Sequence, residues 1–541
     1  ATHLAYRICE PRRLLWHSML LIAAPLSLTP LLMTHFSNAI WATLVVWSVH
    51  LASLVFCTVA YRISPFHPLA KYPGPLVCKI SKIWFAYVAW GGKQHLYYKQ
   101  LHQCYGDVVR IGPNELSFCT PDVIAPMMGA SGMPKASYWD GQFADQNEFR
   151  SLVGLRDPKA HTRLRRIWSR GFTPESLRSY QSIFDKRRIQ LLAHLGKRAG
   201  QTIDLAKWMS WFAYDIMNDM AFGDTIEMMQ GQDSAKLWDI MENAQPIGLV
   251  MSILPWLGDL FNQIPGAAKK MKEFREFARR RVIKRLKHGS STKDLIYHLM
   301  DEGGLETIPP HVNQVANDAS LVIVAGSDTI SPALASLFHY LISNPVAYAR
   351  LQAEIDNSGL SADDVTELAQ LSYLTAAINE TLRLVPPLLS GTSLAAAISS
   401  ALSTDFNLLS YIPEGTTTNV HNYTLQRDPR NFSPSPEIFI PERWLTVDKQ
   451  VALEPQLFGN RHCVVHKTEA FIPFSFGPAD CIGRRLAMQE LRMVVFAILQ
   501  RFNLKFASGH NPTSWEADIC DYFVIRKPKL YVVLAERMQG E

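Results

Sequence analysis

The chain has 541 residues, with 54 Lys and Arg against 48 Asp and Glu, a formal net charge of +6. Apolar residues make up 48% and charged residues 19%, which excludes a disordered chain and gives no concentrated basic footprint for nucleic acid. Gly and Pro number 29 and 32 without a fixed period, so a collagen-like or low-complexity chain is excluded as well.

Residues 1–62 read as a membrane anchor. Arg7, Arg12 and Arg13 precede an apolar run over 19–33 that Pro25 and Pro30 interrupt. The second run, 40–60, carries no Asp, Glu, Lys or Arg. At about 1.5 Å per residue it reaches about 30 Å, the hydrocarbon thickness of a bilayer. Trp41 and Tyr61 stand near its ends, where amphipathic rings favour the interface. This run is expected to span. The first is expected to be a second span, an interfacial segment, or the apolar core of a cleavable signal with Ser37-Asn38-Ala39 as its small-residue site. With one span or two, the flanking cations place the remaining chain in the cytosol.

Residues 63–75, with Ser64-Pro65-Phe66-His67-Pro68 and Tyr72-Pro73-Gly74-Pro75, predict a stiff, extended connector, because proline fixes φ and restricts its predecessor. Residues 76–541 are expected to form one domain: from Lys93 onward there is no linker long enough to separate independent domains and no internal repeat. The stretch 108–118, around Gly112-Pro113-Asn114, predicts a hairpin. Most of 159–300 and 310–384 has helical periodicity, and strand signals are short and mostly late. The expected fold is mainly α, an α+β domain. Asn422-Tyr423-Thr424 and Asn431-Phe432-Ser433 match the glycosylation pattern, but a cytosolic domain would not meet the transferase.

Eight cysteines stand at 9, 57, 78, 104, 119, 463, 481 and 520. None has CxxC spacing or a zinc-site interval, and most read as small buried apolar side chains. Cys481 differs. In Phe474-Ser475-Phe476-Gly477-Pro478-Ala479-Asp480-Cys481-Ile482-Gly483, two glycines flank the cysteine and allow backbone to approach whatever the sulfur binds. The apolar spacing of Leu486, Ala487, Met488, Leu491, Val494 and Val495 predicts a helix next, whose start would favour a thiolate metal ligand. A nucleophilic cysteine awaiting a histidine base, or a plain tight turn, are the competing readings of this segment alone.

This loop resembles the heme-thiolate signature FxxGxRxCxG of the cytochrome P-450 monooxygenases, at Phe474, Gly477, Cys481 and Gly483. It departs at Ala479, where the family has an Arg or His reaching a heme propionate. Three further motifs follow the family's order. Ala325-Gly326-Ser327-Asp328-Thr329 is similar to the oxygen-activation motif: Gly326 removes a side chain so that a diatomic ligand fits between helix and iron, and Asp328 with Thr329 supplies a proton relay. Glu380-Thr381-Leu382-Arg383 is similar to ExxR, with Arg443 of Pro441-Glu442-Arg443-Trp444 completing a charge triad that holds the thiolate loop. His161 and Arg165, at i and i+4, suit a propionate.

The resemblance implies a heme b held by Cys481, an axial thiolate that favours O–O cleavage, and insertion of one O2 atom into a lipophilic small molecule. Electrons would come from NADPH through a membrane-bound flavoprotein reductase, since no GxGxxG fingerprint occurs here. The general pattern resembles fungal microsomal members that tailor secondary metabolites such as terpenoids or indoles, anchored in the endoplasmic reticulum and facing the cytosol. Two alternatives stand beside it: a superfamily isomerase or dehydratase that uses no O2, and a membrane-tethered heme-binding protein with impaired turnover. The second is raised by a gap. From Leu384 to Val420 there is no Lys, Arg or His, where the family has a propionate arginine, which implies weaker heme retention or an altered gene model over 392–411.

Overall fold

The computed structural model describes residues 1–8, 14–36, 38–143, 148–223, 227–231, 237–266, 269–289, 293–391, 393–395 and 412–537. Helix α1, Ala39–Ile63, begins where the Asn38 side chain accepts the Ile40 N–H at 2.8 Å, which satisfies one of the free amides of the first turn. Around it Ile40, Trp41, Leu44, Val49, Val55 and Phe56 are exposed. The preceding apolar segment, Leu15–Leu32, is also helical and packs beside α1. Both are long and apolar enough to cross a membrane, as is the later helix Val312–Ser343, but that one is mostly buried inside the domain. Burial separates core from span where composition alone does not. Of the cleavable-signal site, Ser37 lies outside the described residues, and Asn38 and Ala39 open α1.

The expected extended connector is instead a series of turns. His67, Ala70 and Tyr72 donate to the carbonyls of Ser64, His67 and Leu69, and Leu69 and Tyr72 are buried. The turns dock on strand β1, Val108–Gly112, where the Arg110 N–H donates to the Pro73 carbonyl at 2.7 Å. The buried Arg110 guanidinium also bonds the carbonyls of Pro113 and Arg62. Proline set the φ values, but main-chain pairing with the hairpin set the path.

The hairpin forms as the sequence predicts. Strand β1 runs antiparallel to β2, Glu115–Phe118, around the Pro113-Asn114 turn. Strand β2 then pairs in parallel with Thr417–Val420, which pairs antiparallel with Ser393–Ala395. In chain order we label Ser393–Ala395 β3 and Thr417–Val420 β4, so the sheet order is β1-β2-β4-β3. Residues 396–411, most of the stretch suspected of an altered gene model, are outside the described residues. A three-stranded sheet of Thr202–Asp204, Tyr531–Glu536 and Phe502–Phe506 closes the far side.

Helices dominate the remainder. Five position the site: α2, Pro158–Arg170; α3, Leu205–Phe222; α4, Val312–Ser343; α5, Ser372–Leu384; and α6, Arg484–Arg501. Helix α4 crosses the main core and meets α3, α5 and α6. The two glycosylation matches are chance: Asn422 and Asn431 are buried.

Candidate functional site

The loop before α6 folds back on itself. The Cys481 N–H donates to the Phe474 carbonyl at 2.9 Å and the Asp480 N–H to the Gly477 carbonyl at 3.0 Å. Gly477 has φ +75°, and a Cβ there would lie 2.0 Å from the Met128 carbonyl oxygen, so both conformation and space require glycine. Gly483 meets no such pressure: its added Cβ would find only ordinary contacts, at 3.8 Å, with Cys481 Sγ and Phe172. Phe474 packs against the main core with the Arg484 guanidinium over its ring.

Cys481 is embedded deep among protein atoms, which pushes its thiol pKa up, opposed chiefly by the Gly483 N–H that donates to the sulfur. Yet the residue is exposed. A side chain both deep and accessible faces internal space rather than the outer surface. Helix α6 starts only at Arg484, so the expected lowering of the thiol pKa by the helix start does not win. Burial does. Deprotonation at this sulfur therefore calls for a cationic centre, the effect that makes a metal-bound thiol a thiolate.

Among the described residues no group of three or more His, Cys, Asp or Glu is placed to hold a metal ion. One thiolate alone cannot retain iron, so the remaining ligands must arrive with a cofactor.

Helix α2 supplies two donors, the Arg165 guanidinium and the His161 imidazole. Asp157 caps it by accepting the N–H groups of Lys159 and Ala160, and Pro158 fills the first position, both standard helix-start chemistry. His161 and Arg165 share one face as predicted. His161 is buried, its ring has no hydrogen-bond partner among the described residues, and its pKa falls to about 4 through burial and the charges of Lys135 and Arg165. Arg165 reaches the thiolate loop, pairing with the Asp480 carboxylate and donating to the Asp480 carbonyl at 2.7 Å.

In α4, Ala325 is exposed between the half-buried Val324 and Gly326, with Ile323 and Ser327 buried on either side. The Thr329 hydroxyl donates back to the Ala325 carbonyl at 2.7 Å. Pro332 lies inside the helix and has no N–H for the carbonyl of Asp328. The Asp328 carboxyl is raised to about pKa 6 by burial, against the pull of Lys527 and a hydrogen bond from Gln245. A Cβ on Gly326 would lie 2.1 Å from Met217 Sδ on α3, so its missing side chain serves helix packing, and the small exposed residue beside it is Ala325.

Glu380, Arg383 and Arg443 meet in full burial. Arg383 donates twice to the Glu380 carboxylate at 2.8 Å, and Arg443 donates at 3.0 Å. Trp444 and the Ile440 N–H complete its acceptor sites, and the two guanidinium charges with these donors outweigh desolvation, holding its pKa near 2. Arg383 also bonds the carbonyls of Gln426, Pro436 and Ile438. The triad thus pins the segment that leads toward the cysteine loop.

A deep accessible thiol, basic groups beside it and a small residue on a crossing core helix define the heme-thiolate class of site. These donors fit the group: a sulfur that would ligate its iron, Arg165 and His161 for its carboxylates, and, among the described residues, no competing side-chain metal cluster. The family model described as cytochrome P-450 matches residues 71–534, and the chain belongs to that family. Its cofactor is heme b and its reaction class monooxygenation. The chain is 30% identical over 494 residues to cytochrome P-450 monooxygenase FCK2 of Fusarium pseudograminearum, covering 90% of this chain and 85% of that protein. It is 30% identical over 498 residues to cytochrome P-450 monooxygenase nodW of Hypoxylon pulicicidum, covering 91% and 87%. Tryprostatin B 6-hydroxylase of Neosartorya fischeri is 29% identical over 495 residues, covering 90% and 86%.

Proposed function

We propose that the protein is a membrane-anchored monooxygenase that oxidises a lipophilic secondary metabolite, with Cys481 as the residue that would ligate the heme iron. The observation that carries this reading is the Cys481 side chain, deep yet accessible, in a loop whose backbone is set by Gly477 and whose sulfur receives the Gly483 N–H. When bound, heme supplies reductive activation of O2, favoured by an electron-donating thiolate. The chain's own residues do the rest. Gly483 N–H tempers charge at the sulfur. His161 and Arg165 hold the cofactor's carboxylates, Arg165 while also bracing Asp480. Thr329 and Asp328 pass protons toward the interior space. Asp328 has its pKa near 6, so it exchanges a proton readily close to neutral pH, and the Thr329 hydroxyl, resting on the Ala325 carbonyl, follows it in the helix. Glu380, Arg383 and Arg443 position the loop.

Residues 1–62 would be the anchor, 63–75 the connector and 76–541 the catalytic domain, seated on the cytosolic face of the endoplasmic reticulum. Electrons would come from NADPH through a flavoprotein reductase. A fungal relative named tryprostatin B 6-hydroxylase supports hydroxylation of a secondary metabolite as the reaction. The test is spectral. The reduced protein with carbon monoxide should give the strongly red-shifted Soret band of a thiolate-ligated heme, and Cys481→Ser should lose both that band and turnover. A serine variant that keeps them overturns the assignment. NADPH consumption with added reductase and a panel of lipophiles would then rank substrates.

A further inference from the structure

Residues 14–61 carry no Asp, Glu, Lys or Arg, while Arg7, Arg12 and Arg13 stand ahead of them and Arg62 directly after. The structure folds this stretch back on itself. The chain reverses between Leu32 and Asn38, where the His35 N–H donates to the Leu32 carbonyl at 3.0 Å and Asn38 caps α1. The turns that carry Pro25 and Thr29 pack on α1, and these two residues are buried, as are Ala42 and Val46 of α1. Each pair is four residues apart, so short side chains line one face of each helix and let the backbones approach. At the other end, the helix Thr2–Ile8 meets the last turn of α1. The Arg7 guanidinium lies 4.2 Å from the centre of the Tyr61 ring, the His3 and Tyr61 ring centres are 5.9 Å apart, and Tyr6 Oη is 2.9 Å from His17 Nδ1. Tyr61 in turn meets His67 of the connector, with ring centres 5.1 Å apart.

Resting on the membrane-anchored part of the reading above, we propose that the anchor is a two-pass hairpin: Leu15–Leu32 crosses the bilayer to the lumen, α1 returns, and Thr2–Ile8 lies on the cytosolic side as a clasp beside the connector. The 18 residues of the first segment, at about 1.5 Å each, reach about 27 Å, the hydrocarbon core of the endoplasmic reticulum bilayer. A helix that only lies in the interface needs a strongly polar or charged face. This segment has no charge, and Leu15, Trp16, Met19, Ile22, Leu26 and Leu31 are exposed around it. Pro25 and Pro30 lack N–H donors, but Ser27, Leu28 and Leu31 donate to the carbonyls of Ala23, Pro25 and Leu28, which keeps the main chain paired as lipid requires. The small-residue site of a cleavable signal falls on the reversal, where Asn38 already serves as the cap of α1. A single pass would carry three arginines into the lumen, against the preference of flanking cations for the cytosol, and would part Arg7 from Tyr61.

Cell-free synthesis of the full chain into sealed microsomes reads this topology without depending on heme or activity. An Asn-Ser-Thr acceptor on a flexible Gly/Ser tail ahead of Ala1 should stay unglycosylated, and protease added outside should remove it. The same acceptor in a Gly/Ser insert between Met33 and Thr34 should gain a glycan that endoglycosidase H takes off. Glycosylation of the leading tail overturns the proposal, since residues 1–8 are then lumenal. Loss of the tail from the membrane-bound product overturns it too, since the first segment is then a cleaved signal. So does an insert that stays bare beside a bare tail, since the segment then only lies on the surface. Failure of the underlying membrane reading is separate: alkaline carbonate would then extract the wild-type chain.

Discussion

Glu490 lies on α6 downstream of Cys481, buried, with neither carboxylate oxygen hydrogen-bonded among the described residues. Burial raises its pKa to about 8. The folded chain therefore binds this proton more tightly than the unfolded chain, in which the carboxyl titrates near 4.3. Because stability changes with pH as protons bound unfolded minus protons bound folded, the slope is negative between those values. The contribution is fully present on the acid side and is lost as pH rises toward 8, by at most about 1.4 kcal/mol per pH unit. Glu490→Gln removes the titration and keeps the shape. Its melting temperature should fall less than that of wild type between about pH 5 and 8, with the variant the more stable at the alkaline end. Parallel melting curves across that range would show that Glu490 is not held neutral. In the sequence, Glu490 reads as one more charge on an amphipathic helix. Only the packing of α6 against several other helices buries it. The cysteine loop, by contrast, was legible because glycine and proline constraints act locally.

Helix α4 and helix α3 form the most extensive helix pair among the described residues, and Gly326 faces Met217 across that contact. An added Cβ would lie 2.1 Å from Met217 Sδ and 2.5 Å from its Cγ. Methionine is flexible, so the contact yields partly, and Gly326→Ala should cost about 1–3 kcal/mol as overpacking. Met217→Ala opens the space the new methyl needs. The double variant should therefore be more stable than the sum of the two single losses, with a coupling of about 0.5–3 kcal/mol in thermal or denaturant unfolding. Strict additivity would return Gly326 to a role facing the interior space. At this scale the sequence was read well for α4 as a helix, for the 108–118 hairpin and for the helix after Cys481, because each is governed by local periodicity or turn chemistry. What the motif does not carry is the packing of Gly326 against Met217. Gly326 and Ala325 are neighbours in sequence but look in different directions on a helix, and a motif carries no direction until its packing partner is known.

On the whole molecule, the apolar surface does not stop at α1. The short helix Leu76–Ile80 packs on α1, and Ile83–Trp90 follows it. That helix exposes Ile83, Tyr87 and Trp90, and it packs against Leu237–Ile253, which leads to Pro255–Gln263 with Trp256 exposed. These elements continue from the anchor as one path, and aromatic side chains of this kind favour the membrane interface. An exposed run of large apolar groups marks an interaction surface, and continuity with an apolar helix long enough to span selects the bilayer as its partner. A chain lacking residues 1–62 is therefore expected to remain bound to neutral phosphatidylcholine vesicles in a flotation assay, with the reduced carbon monoxide band intact. Replacing Ile83, Tyr87 and Trp256 by Ser in that shortened chain removes side chains worth roughly 1.5–3 kcal/mol each when fully withdrawn from water, so even partial insertion predicts at least a tenfold drop in binding. Neutral lipid keeps the net charge of +6 from holding the protein there by attraction to acidic headgroups. If the shortened chain floats free of vesicles before any substitution, the catalytic domain has no membrane face of its own and α1 with its neighbouring apolar helix is the whole attachment. If it binds and the triple substitution changes nothing, the contact lies elsewhere on the surface. Binding that survives truncation and then falls with these three residues would give a lipophilic substrate a short path from bilayer to interior.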